Sequence, residues 1–135
     1  MSSEKGFREL KVWQESMALV EDCYRLSARF PAEERYGLTA QLRRAAVSTP
    51  SNIAEGQGRG TASDFAHFLD YASGSLSETE TQLEIACRLT FLQATDLDAP
   101  LQRVRYIRKM LNSLKAHLRK SQYELREGDD DLSDF

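Results

Sequence analysis

The sequence has few of the residues that build disulfide frameworks, metal sites or membrane spans. It contains two cysteines, three prolines, two histidines and one tryptophan among 135 residues. Cys23 and Cys87 are far apart and each lies in an apolar-periodic stretch, which fits neither a disulfide framework nor metal-ligand spacing. We interpret both as reduced thiols of the core.

Long apolar runs are also lacking. No stretch approaches the roughly 18 uncharged residues of a transmembrane helix. The polar start Met1–Lys5 has no apolar segment of a signal peptide, so we expect a cytoplasmic protein.

The composition is that of one globular domain. Apolar residues make up 41% and charged residues 29% of the chain, values typical of a soluble fold with one core. We predict a single domain over residues 1–126 and a disordered acidic tail over 127–135, which contains Asp129–Asp131.

The apolar spacing predicts four helices. Within residues 8–30, apolar positions recur at intervals of three and four, which predicts a helix whose buried seam includes a largely buried Trp13. This seam consists of Leu10, Trp13, Met17, Val20 and Tyr24.

Turn and capping signals delimit the other three helices. The second predicted helix runs from near Glu33 to Gly56, with Pro50 inside it. Thr61 followed by Asp64 resembles a capping box that opens a third helix, which extends to about Thr90. A fourth helix follows Asp96–Pro100. No stretch alternates with the period of a strand, so we predict an all-α, antiparallel up-down-up-down four-helix bundle.

The sequence offers little for catalysis. His67 and His117 are not near a cysteine in sequence and have no ligand spacing, so we predict no catalytic residue, no metal ligand, no cofactor and no enzymatic activity. The run Gly56–Gly60 precedes a helix start and contains Arg59, so a phosphate contact and a plain interhelical turn both remain open.

The fourth predicted helix has a basic face. Residues 101–126 contain eight basic side chains and one acid, and seven of the eight share one helical face, whereas Arg103 falls on the apolar side. A one-signed face of this kind is typical of a polyanion contact. The predicted nucleic-acid-binding residues are Arg105, Arg108, Lys109, Lys115, Arg119 and Lys120 with Arg126 beyond them, and Arg43 and Arg59 are candidate additions.

A second surface has short side chains. Gly74 lies inside the third predicted helix, where glycine costs about 1 kcal/mol relative to alanine, and small residues allow close helix approach. We therefore predict a subunit interface of a homo-oligomer. Its candidate residues are Arg44, Ser48, Ser51, Glu55, Ser73, Gly74 and Ser77.

Several segments resemble one known family. Phe7–Gln14, Phe30–Thr39, Gln41–Ser48, Pro50–Gly56 and Gly74–Leu76 are similar to the four-helix-bundle family encoded in intervening sequences of bacterial 23S ribosomal RNA genes. The resemblance implies a ring-like homopentamer and a relationship to the accessory proteins of diversity-generating retroelements, which act with a reverse transcriptase and nucleic acid. It implies no known catalytic residues.

Two functions follow as expectations. The first is a non-enzymatic homo-oligomer that binds RNA, DNA or a nucleic-acid-handling protein through the basic face, with no membrane and no metal as partner. The alternative is a purely structural assembly, in which these basic side chains and the row from Arg44 to Glu55 pair with acids of the third helix across subunits and no nucleic acid is bound.

Overall fold

Four helices account for most of the chain in a computed structural model, which describes residues 6–124 and 132–135, without the side chains of 122–124. Short 3-10 turns at Phe7–Glu9, Ala32–Glu34 and Ala94–Leu97 precede three of the helices. These described ranges contain no β-strand, so the predicted all-α class is confirmed. The helices are α1 (Lys11–Ser27), α2 (Leu38–Gln57), α3 (Ala62–Arg88) and α4 (Asp98–Glu124).

Each helix packs against the next one, and α4 packs against α1, which gives the predicted antiparallel bundle. Short connections force neighbouring helices to run in opposite directions. The core side of α3 is a row of buried residues from Phe65 to Ala86. On α4 the buried residues are Val104, Ile107, Leu111, Leu114 and Leu118, and Met110 is half-buried.

The buried side of α1 differs from the predicted seam. Met17 is 40% and Tyr24 44% exposed, and Trp13 is half-buried beside Phe7, with ring centroids 5.2 Å apart. The predicted core seam is therefore wrong for Met17 and Tyr24, whereas Leu10 is buried and Trp13 and Val20 are half-buried against the core. Small polar residues lie in the core instead, because they satisfy their own hydrogen bonds: the Ser16 hydroxyl donates to the Val12 carbonyl at 2.7 Å. The buried row of α1 is Val12, Ser16, Leu19, Cys23 and Leu26.

The turn between α2 and α3 is tightly built. α2 continues through the buried Pro50 to Gln57, one residue beyond the predicted end. The Asp64 backbone amide donates to the Thr61 hydroxyl at 3.1 Å, as the capping signal predicts. This hydrogen bond begins α3 directly after the glycine-rich run.

The chain after α4 returns to the bundle. The Val12 amide donates to the Phe135 carbonyl at 2.9 Å, and Leu132 and Phe135 pack against the core. The Phe135 ring also lies 5.4 Å from that of His117. The predicted disordered tail covers 127–135; its residues 127–131 lie outside the described residues, whereas 132–135 are held by these specific contacts.

Candidate interaction surfaces

The basic face of α4 is partly neutralised within the chain. Arg108 donates to Glu80 of α3 at 2.9 Å, and Lys115 and Arg119 donate to Asp70 at 3.1 and 3.0 Å. The Lys115 side chain is only 12% exposed. A phosphate would have to displace these carboxylates to bind here. Ion pairs at a protein surface add only about 0–1 kcal/mol to the stability of the fold.

Two basic residues of this face project without such a partner. Arg105 and Lys109 are exposed and make no hydrogen bond or ion pair with the part of the chain that the structure describes. Lys120 is also exposed, and Arg126 lies outside the described residues. The open part of the predicted binding surface is therefore narrower than the helical wheel indicates.

Arg103, which falls on the apolar side of α4, connects two helices. Its guanidinium donates to Glu15 at 2.7 Å and to Asp22 at 3.0 Å, both on α1. Burial lowers the pKa of Arg103, but the hydrogen bonds and charges of Asp22 and Glu15 outweigh it, so the pKa is raised. This residue has a structural role that the sequence does not reveal.

Arg43 and Arg59 contact side chains of other segments. Arg43 lies over the Tyr24 ring of α1, 4.5 Å from its centroid, and donates to the Ser27 hydroxyl at 2.8 Å. Arg59 donates to Glu55 at 3.2 Å and lies 5.1 Å from the centroid of Phe68. Both guanidinium groups are thus held against other helices.

The candidate interface residues divide among three locations. Ser73 and Ser77 accept hydrogen bonds from Lys115 and Arg108, at the junction of α3 and α4. The Ser75 hydroxyl donates to Ser48 at 2.9 Å, between α2 and α3. The remaining four, which project outward, are Arg44, Ser51, Glu55 and Gly74. As a subunit interface, the set remains a prediction.

One apolar surface faces outward, and the sequence pattern does not indicate it. Met17, Val20 and Tyr24 lie on one side of α1, at intervals of three and four. Val47 of α2 is 39% exposed. It lies one helical turn after Arg43, and Arg43 contacts Tyr24 of α1. Because α1 and α2 are antiparallel, Val47 lies beside the α1 turn before Tyr24. We call these four residues the α1/α2 face.

The residues that could support chemistry lie apart from one another. Among the described residues, no group of three or more histidine, cysteine or acidic side chains could hold a metal. Burial, with a smaller effect from Asp22, raises the pKa of the Cys23 thiol to about 12, so this thiol is a poor nucleophile. Within the same ranges, no helix is long and apolar enough to cross a membrane.

The run Asn52–Gly56, within one of the segments that resemble the family, has a packing role. Ile53 is fully buried in the core, and the Asn52 amide donates to the Ser48 carbonyl at 2.9 Å. A Cβ at Gly56 would stand 2.7 Å from the Phe68 Cβ and 3.0 Å from Phe65 Cδ1, so only glycine fits where α2 meets α3. The motif therefore specifies the helix-helix contact.

The family model of the 23S rRNA-intervening sequence protein matches residues 8–113. The chain belongs to this family. The match covers α1, α2, α3 and the first part of α4, so the family assignment rests on the bundle core and its turns. Lys115, Arg119 and Lys120 of the basic face lie beyond it. None of the curated proteins compared with the chain matches it.

Proposed function

We propose that this 23S rRNA-intervening sequence protein is a non-enzymatic subunit of a homo-oligomer, with five copies as the arrangement that the family resemblance implies. The observation that supports it is the α1/α2 face, where three of the four apolar side chains are 39–44% exposed. Apolar side chains grouped on one surface are characteristic of protein-protein contacts.

Light scattering after size-exclusion chromatography tests the assembly. We expect one species of several subunits, with a mass near five times 15.3 kDa. A monodisperse monomer at micromolar concentration contradicts the proposal.

A polyanion contact is the second candidate, and Arg105 and Lys109 support it. Both are exposed on α4, which has no acidic residue between Asp98 and Glu124. A short basic row of this kind reads phosphates and not base edges, so binding would show little sequence preference and would weaken steeply with salt. Repetition around a ring would raise the overall affinity for a long polyanion, because several weak contacts then act together.

Fluorescence anisotropy with labelled RNA and DNA tests this contact. Reversal of both charges, Arg105→Glu with Lys109→Glu, should remove binding at low salt while the oligomer remains intact. The matched control is Lys11→Glu with Arg35→Glu, which changes the net charge equally at exposed sites on other segments. Equal loss in both double variants, or no binding by the wild type, contradicts a specific α4 surface.

A further inference from the structure

A second outward surface complements the α1/α2 face. It follows the outer side of α3 at intervals of three and four, and we call it the α3 outer row. Tyr71 is 51% and Ile85 39% exposed, and a Cβ at Gly74 would meet nothing within 4 Å. Its members are Tyr71, Gly74, Glu78, Thr81 and Ile85.

The anchor of this row is held in place before any partner arrives. The Tyr71 hydroxyl shares a hydrogen bond of 2.9 Å with His67 Nε2, and its ring packs edge-on against Phe68 at 5.5 Å. A fixed aromatic side chain loses little conformational entropy on association, which is typical of an interface anchor.

The two surfaces lie at the same height along the bundle. The Ser48–Ser75 hydrogen bond links neighbouring turns of α2 and α3, which places Val47 within about 3 Å of Gly74 in height along the bundle axis. One turn farther, in opposite chain directions, Arg44 is level with Glu78. Val47 and Gly74 therefore lie at similar heights along the bundle. Arg44 and Glu78 lie at similar heights one turn away.

The two surfaces differ in charge. Arg43 and Arg44 flank the α1/α2 face, which also has one exposed acid, Glu21, between Met17 and Tyr24. The α3 outer row contains Glu78, with Glu84 nearby. Arg44 and Glu78 are both exposed, and neither makes an ion pair with a residue that the structure describes. Opposite charges at equal height favour the contact of two different surfaces over the self-contact of either one.

On the basis of the proposed assembly, we propose that the partner of the α1/α2 face is the α3 outer row of a second copy, joined head to tail. Val47 of one copy then packs at Gly74 of the next, and Arg44 pairs with Glu78. Because the two surfaces differ, each copy has one of each, and rotation about an axis parallel to the helices closes the chain of subunits into a ring.

Two single substitutions each block one surface. Val47→Asp puts a charge into the α1/α2 face, and Gly74→Arg puts a long cation where Val47 and Arg44 of the next copy would lie. Neither position is in the core, so helical circular dichroism should match that of the wild type. Tyr106→Asp and Ala116→Arg are matched controls on the exposed side of α4, and both should assemble like the wild type.

Light scattering on each variant and on their mixture gives the decisive result. Each variant alone should be monomeric, and an equimolar mixture should form a dimer with one copy of each, because one intact surface remains on each variant. If only one substitution disrupts assembly, or if the mixture stays monomeric, the head-to-tail contact is wrong. A monomeric wild type instead overturns the proposed assembly itself.

A charge test addresses Arg44 and Glu78 directly. Arg44→Glu and Glu78→Arg should each weaken assembly by at least about tenfold in apparent Kd, since like charges then face each other. Mixing the two variants should restore assembly beyond a dimer with the two copies alternating, because both junctions between unlike copies then join opposite charges. If Arg44 and Glu78 instead pair within one chain, mixing the variants should not restore assembly. That result would show that these residues do not pair across the interface.

Discussion

Gly56 and Phe68 are in such close contact that a methyl group on the glycine would stand 2.7 Å from the Phe68 Cβ. Gly56→Ala should therefore force α2 and α3 apart, and we expect it to lower the free energy of unfolding by about 1–3 kcal/mol. Gly58→Ala is the control, because its new Cβ would have only ordinary contacts at 3.7 Å. Urea unfolding measures both, and equal effects at the two positions would contradict the contact argument.

Thr49 has a fully buried hydroxyl with no hydrogen-bond partner among the described residues. Thr49→Val keeps the shape and removes this desolvated group, so we expect a gain of about 1 kcal/mol in the free energy of unfolding. Thr79 is the matched case: its hydroxyl is buried too but donates to the Ser75 carbonyl at 2.9 Å. Thr79→Val should be neutral or destabilising, so in thermal unfolding only Thr49→Val should raise Tm.

The two thiols should differ in reactivity. Cys23 is fully buried with its pKa raised to about 12 by burial and then by Asp22, whereas Cys87 is half-buried. We expect about one equivalent of an aromatic disulfide reagent to react with the native protein, and the second only in denaturant. Cys87→Ser should abolish the native reaction; a persistent native signal in this variant would show that Cys23 is accessible.

Asp96 should make part of the stability depend on acid. The Arg29 hydrogen bonds at 3.0 and 3.1 Å, with the Gln93 backbone amide at 2.8 Å, lower the pKa of Asp96. A lowered folded-state pKa stabilises the fold above the ordinary aspartate pKa of about 4, and this contribution is lost as the pH falls through the lowered value. Asp96→Asn should therefore lower Tm at neutral pH and reduce its fall below pH 4.

The control for this prediction is Glu21→Gln. Glu21 is exposed on α1 and makes no hydrogen bond or ion pair within the described ranges. The Tm of Glu21→Gln should change with pH as that of the wild type does across the acid range. A profile of Asp96→Asn that also follows the wild type would show that the Arg29 contact does not contribute.

The helices themselves were predictable because capping and apolar spacing are local. Thr61 and Asp64 mark the start of α3, and Leu69, Leu76 and Leu83 mark its buried side. On α1 the same reasoning selected the wrong side. This helix has apolar residues on two neighbouring sides, and the core side contains serine and cysteine, so periodicity favours the outward row with its larger side chains.

The candidate surfaces were predictable only in part. The helical wheel places Arg108 and Lys115 on one basic face of α4, and this placement follows from the sequence alone. It could not show that Glu80 and Asp70 lie opposite them, because that pairing depends on the rotation and axial position of α3 against α4. Nor could it assign Arg103, whose partners Glu15 and Asp22 are on a distant segment.

The Arg103 pair has a further consequence for the order of folding. Gly56 and Phe68 are near in sequence, so the α2–α3 hairpin closes a short loop at little entropic cost. Arg103 and Glu15 are 88 residues apart, so the junction of α1 with α4 closes a much longer loop. We expect the hairpin to form first and this junction last, and native-state hydrogen exchange should show the amides of α1 opening before those in the middle of α3.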